Sequence, residues 1–271
     1  MNFSIIKSAT VAIAKVSHDD RRIFEIVGSG VCVDSRGIIL TCEHVINAFL
    51  SNASREELKK LSGSEPQRAE LPGLVIPYAI FYKLDPDGRL LALQARVDQV
   101  MCSRVQDIGL VRVLQDKLFP DGYPCAQVEE YSAVHEGLEV GTCGFPLGNF
   151  LQGQIGAVTS SFTFGRVSTI SPYASVEKEN LKAFQLDLTA THGNSGGPVF
   201  NQATSKIIGV LQGGIAHPQG YLQPGLVRCE PLYGFLGKNE IEFLRNAPVG
   251  QLATDAELQK LVDAKGSRAD R

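Results

Sequence analysis

Ser195 stands in the run Thr191-His192-Gly193-Asn194-Ser195-Gly196-Gly197-Pro198-Val199-Phe200, preceded by an alternating segment and followed by an apolar one. A serine in so tight a glycine turn exposes its hydroxyl and aims consecutive backbone N–H groups at one point. A serine nucleophile needs that arrangement: an attacking oxygen beside fixed donors for an oxyanion. The glycines permit positive φ and close approach of the backbone to a substrate. A plain glycine-rich turn between two strands has the same composition. The rest of the chain must therefore supply a base and a group that orients it.

Five histidines are available. His44 follows Ile38-Ile39-Leu40-Thr41-Cys42-Glu43 at the end of an apolar strand and before a short helical turn. His18, His135 and His217 lie in polar, loop-like sequence. His192 is the rival base, but three residues before the serine in a tight turn its side chain points away from the hydroxyl, towards a substrate subsite or solvent. For the orienting carboxylate the candidate is Asp107, at the mouth of the apolar strand Ile108-Gly109-Leu110-Val111-Arg112-Val113. An acid there is costly without a partner. His44 and Asp107 each have a structural reading when taken singly. The order His, Asp, Ser, each in such a setting, joins them into a nucleophile, a base and an orienter.

The elements that must position these groups are mostly short β-like runs broken by Gly, Pro, Asn and Asp. A hairpin is predicted over 26–40, turning at 34–37, and a second pair of strands over 77–83 and 90–100, joined around Asp85-Pro86-Asp87-Gly88. Further strands are predicted over 108–114, 138–143, 156–159, 167–170, 183–188 and 207–211. Helix signals are few: 54–61, 239–244, and 254–264 with a capping box at Thr254 and Glu257. Many short strands point to an all-β barrel or sandwich.

At 271 residues, 44% hydrophobic and 20% charged, the chain can build one large β unit or two packed ones. A formal net charge of −3 without a basic block gives nucleic-acid binding no support. No apolar run reaches membrane-span length, so no membrane partner is expected. The N-terminus lacks the basic and apolar regions of a signal peptide. The six cysteines form no CxxC pair, no His/Cys group has zinc spacing, and neither metal nor cofactor is expected. Cysteines in apolar runs read as buried free thiols of a reducing, cytoplasmic compartment.

Several separated segments then carry a resemblance. They are Gly28-Ser29-Gly30-Val31, Gly37-Ile38-Ile39-Leu40-Thr41 leading to His44, Asp107-Ile108-Gly109-Leu110-Val111, Gly144-Phe145-Pro146-Leu147-Gly148, and Gly193-Asn194-Ser195-Gly196-Gly197-Pro198-Val199. In that order the chain resembles the trypsin-like (chymotrypsin-fold) serine peptidases, most closely the HtrA/Deg-type branch. The resemblance implies an all-β fold of two six-stranded antiparallel barrels with the active site between them. It places His44 and Asp107 on the first barrel and Ser195 on the second. It implies that Ser195 attacks the peptide carbonyl, His44 moves the proton and Asp107 holds the imidazole. Gly193, Asn194 and Ser195 form the oxyanion turn, with the N–H groups of Gly193 and Ser195 as donors. The pocket base falls at Thr189, which is not acidic, so a small or medium uncharged P1 residue is expected. His192, Gln212, Gly213 and Gly214 complete the substrate-binding set, the last three as an edge to which substrate adds as a strand.

The expected organisation is a first barrel over 1–120, a linker over 121–132, a second barrel over 133–246, and a C-terminal helix and tail over 247–271. The residues after 245 are too few for the PDZ domain that most HtrA proteins carry. Ile26-Val27-Gly28 lies too close to His44 for trypsin-type N-terminal maturation. The insertion over 49–92 has no assigned role. The expected activity is that of a serine endopeptidase acting on protein or peptide, with latency until a protein partner or the substrate orders the oxyanion turn as one form of its control. The alternative is a peptidase-fold peptide-binding module without turnover. An α/β-hydrolase esterase needs the order Ser, Asp, His and alternating strands and helices, and fits poorly.

Overall fold

The apolar N-terminal run divides at Thr10 into helix α1 (Ser4–Ala9) and strand β1 (Thr10–Ser17). A six-residue helix is too short to declare a period in the sequence. The Thr10 hydroxyl donates to the Ile6 carbonyl at 2.7 Å, satisfying a carbonyl of the helix's last turn. The structure is a computed structural model. It describes residues 3–17, 22–50, 75–84, 87–102, 107–114, 117, 119–129, 133–148, 159–170, 184–216, 222–231 and 245–246.

Strands β2 (Ile23–Asp34), β3 (Ile38–Thr41), β4 (Val75–Leu84), β5 (Leu90–Cys102) and β6 (Gly109–Val113) join β1 in a closed antiparallel barrel, in the order β1-β2-β3-β6-β5-β4. The hairpin predicted over 26–40 is β2, a turn and β3, with Gly37 N–H donating to the Asp34 carbonyl. The pair predicted over 77–83 and 90–100 is β4 and β5. In the turn between them, Asp85 and Pro86 fall outside the described residues.

The second strand set is β7 (Glu139–Gly144), β8 (Ser161–Thr169), β9 (Phe184–Asp187), β10 (Pro198–Asn201), β11 (Ile207–Ala216) and β12 (Leu222–Pro231). Its order is β10-β11-β12-β9-β8-β7, and β7 pairs with β10 as well as β8. β12 and most of β8 lie beyond the strands predicted from sequence. Pro224 and Gly225 punctuate β12 and hide it. The helices predicted over 54–61, 239–244 and 254–264, and residues 156–158 of a predicted strand, lie outside the described residues. Among the described residues the helices of a turn or more are α1 and α2 (Glu43–Leu50). Because α2 starts at Glu43, His44 sits in a first helical turn and not at the end of a strand.

One buried cluster spans both strand sets. Ile13, Val31, Leu40, Phe81, Val97 and Leu110 of the barrel share it with Cys143, Phe200, Ile207 and Val210. Each large apolar side chain so removed from water contributes about 1.5–3 kcal/mol. Phe3, just before α1, reaches across to the second set, its ring centroid 5.9, 5.5 and 5.2 Å from those of Phe162, Phe164 and Phe200. The expected linker is strapped down over much of its length. Tyr123 and Ala126 are buried, their N–H groups donating to the Ser35 and Cys32 carbonyls. Further on, Glu129 N–H donates to the Ile207 carbonyl.

A bulge in β5 positions a buried charge. The register shift between Val97 and Gln99 frees Asp98, whose carboxylate accepts from Arg112 Nε at 3.0 Å and Nη2 at 2.5 Å. Both residues are buried, at 2% and 7% exposure. Asp98→Ala leaves the guanidinium without this partner, and a loss of about 3–5 kcal/mol is expected. Urea denaturation read by circular dichroism checks it; a loss below about 1 kcal/mol contradicts it.

Candidate active site

The sequence Thr41-Cys42-Glu43-His44 turns a strand into a helix, and that turn aims the histidine. The first N–H groups of any helix lack intrahelical acceptors. Here the Cys42 carbonyl takes the first helical bond, from Ile46 N–H, and His44 N–H is left to donate to Asp107 Oδ1 at 2.9 Å. Val45, Ile46 and Phe49 bury the other face of α2 in the core. The imidazole is thereby turned outward, with the His44 side chain 48% exposed.

Asp107 holds that ring as well as the backbone. His44 Nδ1 lies 2.6 Å from Asp107 Oδ2. An ionised carboxylate only accepts, so Nδ1 carries the hydrogen and Nε2 of the neutral ring is the acceptor. Burial pushes the Asp107 carboxyl up. The hydrogen bonds from the His44 ring and backbone, the charge of His44 and a hydrogen bond from the Gln212 side chain outweigh it, and the carboxyl is held below its ordinary value. The helix N-terminus favours the same anion.

Ser195 comes from the other strand set, on the turn before β10. Asn194 N–H donates to the Thr191 carbonyl and Gly197 N–H to the Asn194 carbonyl, so the turn closes on itself. Gly196 N–H donates to the Leu211 carbonyl at 2.7 Å and Leu211 N–H to the Gly197 carbonyl at 2.8 Å, tying the turn to β11. Gly193 and Gly196 have φ of +96° and +81°, which side-chain-bearing residues seldom adopt. A Cβ on Gly196 would also collide with Thr41 Oγ1 and the Ser29 carbonyl. Gly196→Ala is therefore expected to give either no soluble folded protein or a folded one with labelling of Ser195 by a serine probe reduced by about 100-fold or more. Normal folding with unchanged labelling refutes the strain argument.

Two N–H groups of the turn remain open. The His192 carbonyl accepts from Leu147 N–H at 2.8 Å. The two ends of a trans peptide point opposite ways, so Gly193 N–H points away from Leu147. Among the described residues no acceptor takes it, nor the N–H of Ser195. Asn194, expected in the turn beside the two donors, commits its own N–H to the Thr191 carbonyl.

His44, Ser195, His192 and Gly193 line one cavity of about 430 Å³, walled also by Ile26, Val27 and Leu147. Sequence reasoning meets Ile26, Val27 and Leu147 in other settings and gives them no place in the cleft. Leu147, with φ +54°, is a left-handed non-glycine residue in the Gly144–Gly148 segment. The Ser195 hydroxyl donates to the Gln212 carbonyl at 3.0 Å. Gln212 is expected from sequence to bind substrate; its carbonyl meets Ser195 and its side chain meets Asp107. Gly213 and Gly214 pair with Arg228 and Val227 of β12 along one edge. On their other edge no strand pairs among the described residues. Thr189 is exposed and does not line the cavity.

Cys42, His44 and Asp107 also bring potential metal-ligand atoms within 4.8 Å of one another, a grouping hidden by their sequence spacing. These atoms are already engaged: both Asp107 oxygens hold His44, and the Cys42 thiol donates to the Leu211 carbonyl at 3.4 Å. Five of the cysteines, 32, 42, 102, 125 and 143, are free thiols.

A polarised imidazole, a hydroxyl and two open N–H donors around one cleft can carry out acyl transfer without a metal ligand. The comparison with known families bears on that chemistry. Residues 28–210 match the model of the trypsin-like peptidase domain, an interval that holds His44, Asp107 and Ser195 together with all the glycines of the turn. With well over half of its length covered by that match, the chain belongs to the trypsin-like peptidase family.

Proposed function

We propose that this trypsin-like peptidase is a serine endopeptidase working through His44, Asp107 and Ser195. The 2.6 Å bond from His44 Nδ1 to Asp107 carries the reading, because it leaves Nε2 as a proton acceptor in the cleft that Ser195 lines. The hydroxyl leaves the Gln212 carbonyl for Nε2 and attacks the substrate carbonyl as its proton passes to His44. The oxyanion so formed takes the N–H groups of Gly193 and Ser195. His44 returns the proton to the leaving amine, and water then cleaves the acyl-enzyme by the same route. Asp107 stays ionised and stabilises the imidazolium.

The free edge at Gln212–Gly214 suits an added substrate strand. The carboxylate in the cavity wall, Glu25, sits 3.0 Å from Lys15, which offsets its charge. The cavity wall of Ile26, Val27 and Leu147 is apolar, which favours a small or medium uncharged P1 residue over Arg or Lys. The pairing of β7 with both β8 and β10 supports a second barrel of six strands. The hydrogen bonds within the turn support donors set at rest. Latency, where it operates, acts through the Ser195 hydroxyl held by Gln212. The free thiols fit a reducing compartment.

A fluorophosphonate probe tests the reading, with Ser195→Ala and His44→Ala as controls. Labelling of wild type alone, followed by cleavage of a peptide library, supports it. A folded wild type that binds peptides but neither labels nor cleaves overturns it in favour of a binding module.

A further inference from the structure

We propose that Ser29 is a positioning residue that sets the oxyanion donors from the opposite barrel; the proposal rests on the function just given. Ser29 lies on β2 and is fully buried. Its hydroxyl donates to the Gly193 carbonyl at 2.6 Å and accepts from Phe145 N–H at 3.0 Å. Its backbone N–H donates to the Ser195 carbonyl at 2.8 Å, and its carbonyl accepts from the Thr41 hydroxyl at 2.7 Å. One residue of the first barrel thus holds the carbonyls on both sides of Asn194 in the nucleophile turn.

The hydroxyl matters because of what Gly193 lacks. Without a Cβ, glycine turns its flanking peptides at little steric cost. Gly193 N–H, one of the two oxyanion donors, belongs to the peptide on its N-terminal side, whose carbonyl Leu147 N–H holds. The peptide on its C-terminal side is held through the Gly193 carbonyl by Ser29 and through Asn194 N–H by Thr191. With both peptides fixed, the direction of Gly193 N–H is fixed. Phe145 completes the link: Ser29 holds its N–H, and its carbonyl lies where a Gly193 side chain would begin. Ser29→Ala breaks the hydroxyl's two bonds and keeps both backbone ones. The turn stays attached through Ser195, but the peptide on the C-terminal side of Gly193 keeps only the bond from Asn194 N–H to Thr191, and the neighbouring Phe145 N–H loses its acceptor.

The test compares two ligands built on one peptide sequence that the wild-type enzyme cleaves. A peptidyl aldehyde adds to Ser195 and puts an oxygen among the donors. The matching peptidyl amide binds without reaching that state. Losing one oxyanion donor costs about 10²–10³-fold in kcat. For Ser29→Ala the expected result is a kcat and an aldehyde affinity both lowered by about that factor. The amide affinity changes less than ~3-fold, and the pH dependence of kcat/KM is unchanged. Thr41→Val, which loosens the same buried network without touching the hydroxyl, should leave the aldehyde-to-amide ratio as in wild type. Should the alanine variant not fold, Ser29→Cys keeps the bulk with a weak donor and is read by the same ratio. A ratio unchanged in the folded Ser29 variant, or lowered equally by Thr41→Val, overturns the assignment. A wild type that forms no aldehyde adduct at Ser195 refutes the underlying mechanism instead, so the two failures are distinguishable.

Discussion

Replacing Ser195 by alanine should abolish peptide hydrolysis while leaving the fold and peptide binding in place. The expected loss in kcat is on the order of 10⁶-fold, the scale for removing a nucleophile that acts as a unit with its base. Among the described residues the side chain makes one hydrogen bond, to the Gln212 carbonyl, so truncation exposes little that was satisfied. The bonds that shape the turn are made by the backbone: Ser29 N–H to the Ser195 carbonyl, and Gly196 N–H to the Leu211 carbonyl. Stability should shift by no more than about 1 kcal/mol. The open N–H groups survive, so a residual rate above that of water, about 10³–10⁴-fold, is also expected. Steady-state kinetics beside a thermal melt decide the matter. Loss of activity together with loss of the folded state would make Ser195 structural, and a loss of less than tenfold would remove it as nucleophile.

Asp107→Asn should cost about 10⁴-fold in kcat at neutral pH with little change in KM. An asparagine can turn its NH2 towards Nδ1, which then accepts, and the hydrogen moves to Nε2. The ring is in place but holds the wrong tautomer, with no lone pair facing the cleft. The same substitution has a consequence for stability that depends on pH. The Asp107 carboxyl is held below its ordinary value in the folded protein. A depressed folded value means that the charged form stabilises the fold. This contribution is complete above the ordinary, unfolded value and is lost as pH falls through the lower folded value. The stability gap between wild type and Asp107→Asn, measured in urea at a series of pH values, should be level through the neutral range. It should narrow only in strong acid. A gap that widens in acid would falsify the assignment of a depressed carboxyl.

His44, Asp107 and Ser195 are legible because each carries its setting in adjacent residues. The histidine follows an apolar strand, the aspartate precedes one, and the serine is bracketed by glycines. Gln212 reads from sequence as a substrate edge. Of its actual contacts, the one to Ser195 spans 17 positions and the one to Asp107 crosses to the other strand set, and no local pattern encodes either. Ser29 shows the same limit. It is visible as the middle of Gly28-Ser29-Gly30, yet its hydroxyl partners lie 164 and 116 residues further on. The strands that escape prediction do so for local reasons. β12 contains Pro224 and Gly225, and the polar–aromatic Ser161-Phe162-Thr163-Phe164 of β8 leads into Gly165. The hairpins succeed where a turn signal sits between two apolar runs.

The contact of Phe3 with Phe162, Phe164 and Phe200 joins residues made at widely separated times during synthesis. Phe3 leaves the ribosome about 200 positions before Phe200. At about 5–20 residues per second, that interval is roughly 10–40 s. The nascent first barrel can close its own sheet during this time, but the phenylalanine at its N-terminus has no aromatic partners yet. A vector that delivers residues 1–132 alone would make that wait permanent, leaving an apolar side chain for chaperones or for neighbouring chains. The translation rate across the second half, more than across the first, then sets how long each new molecule stays vulnerable to aggregation.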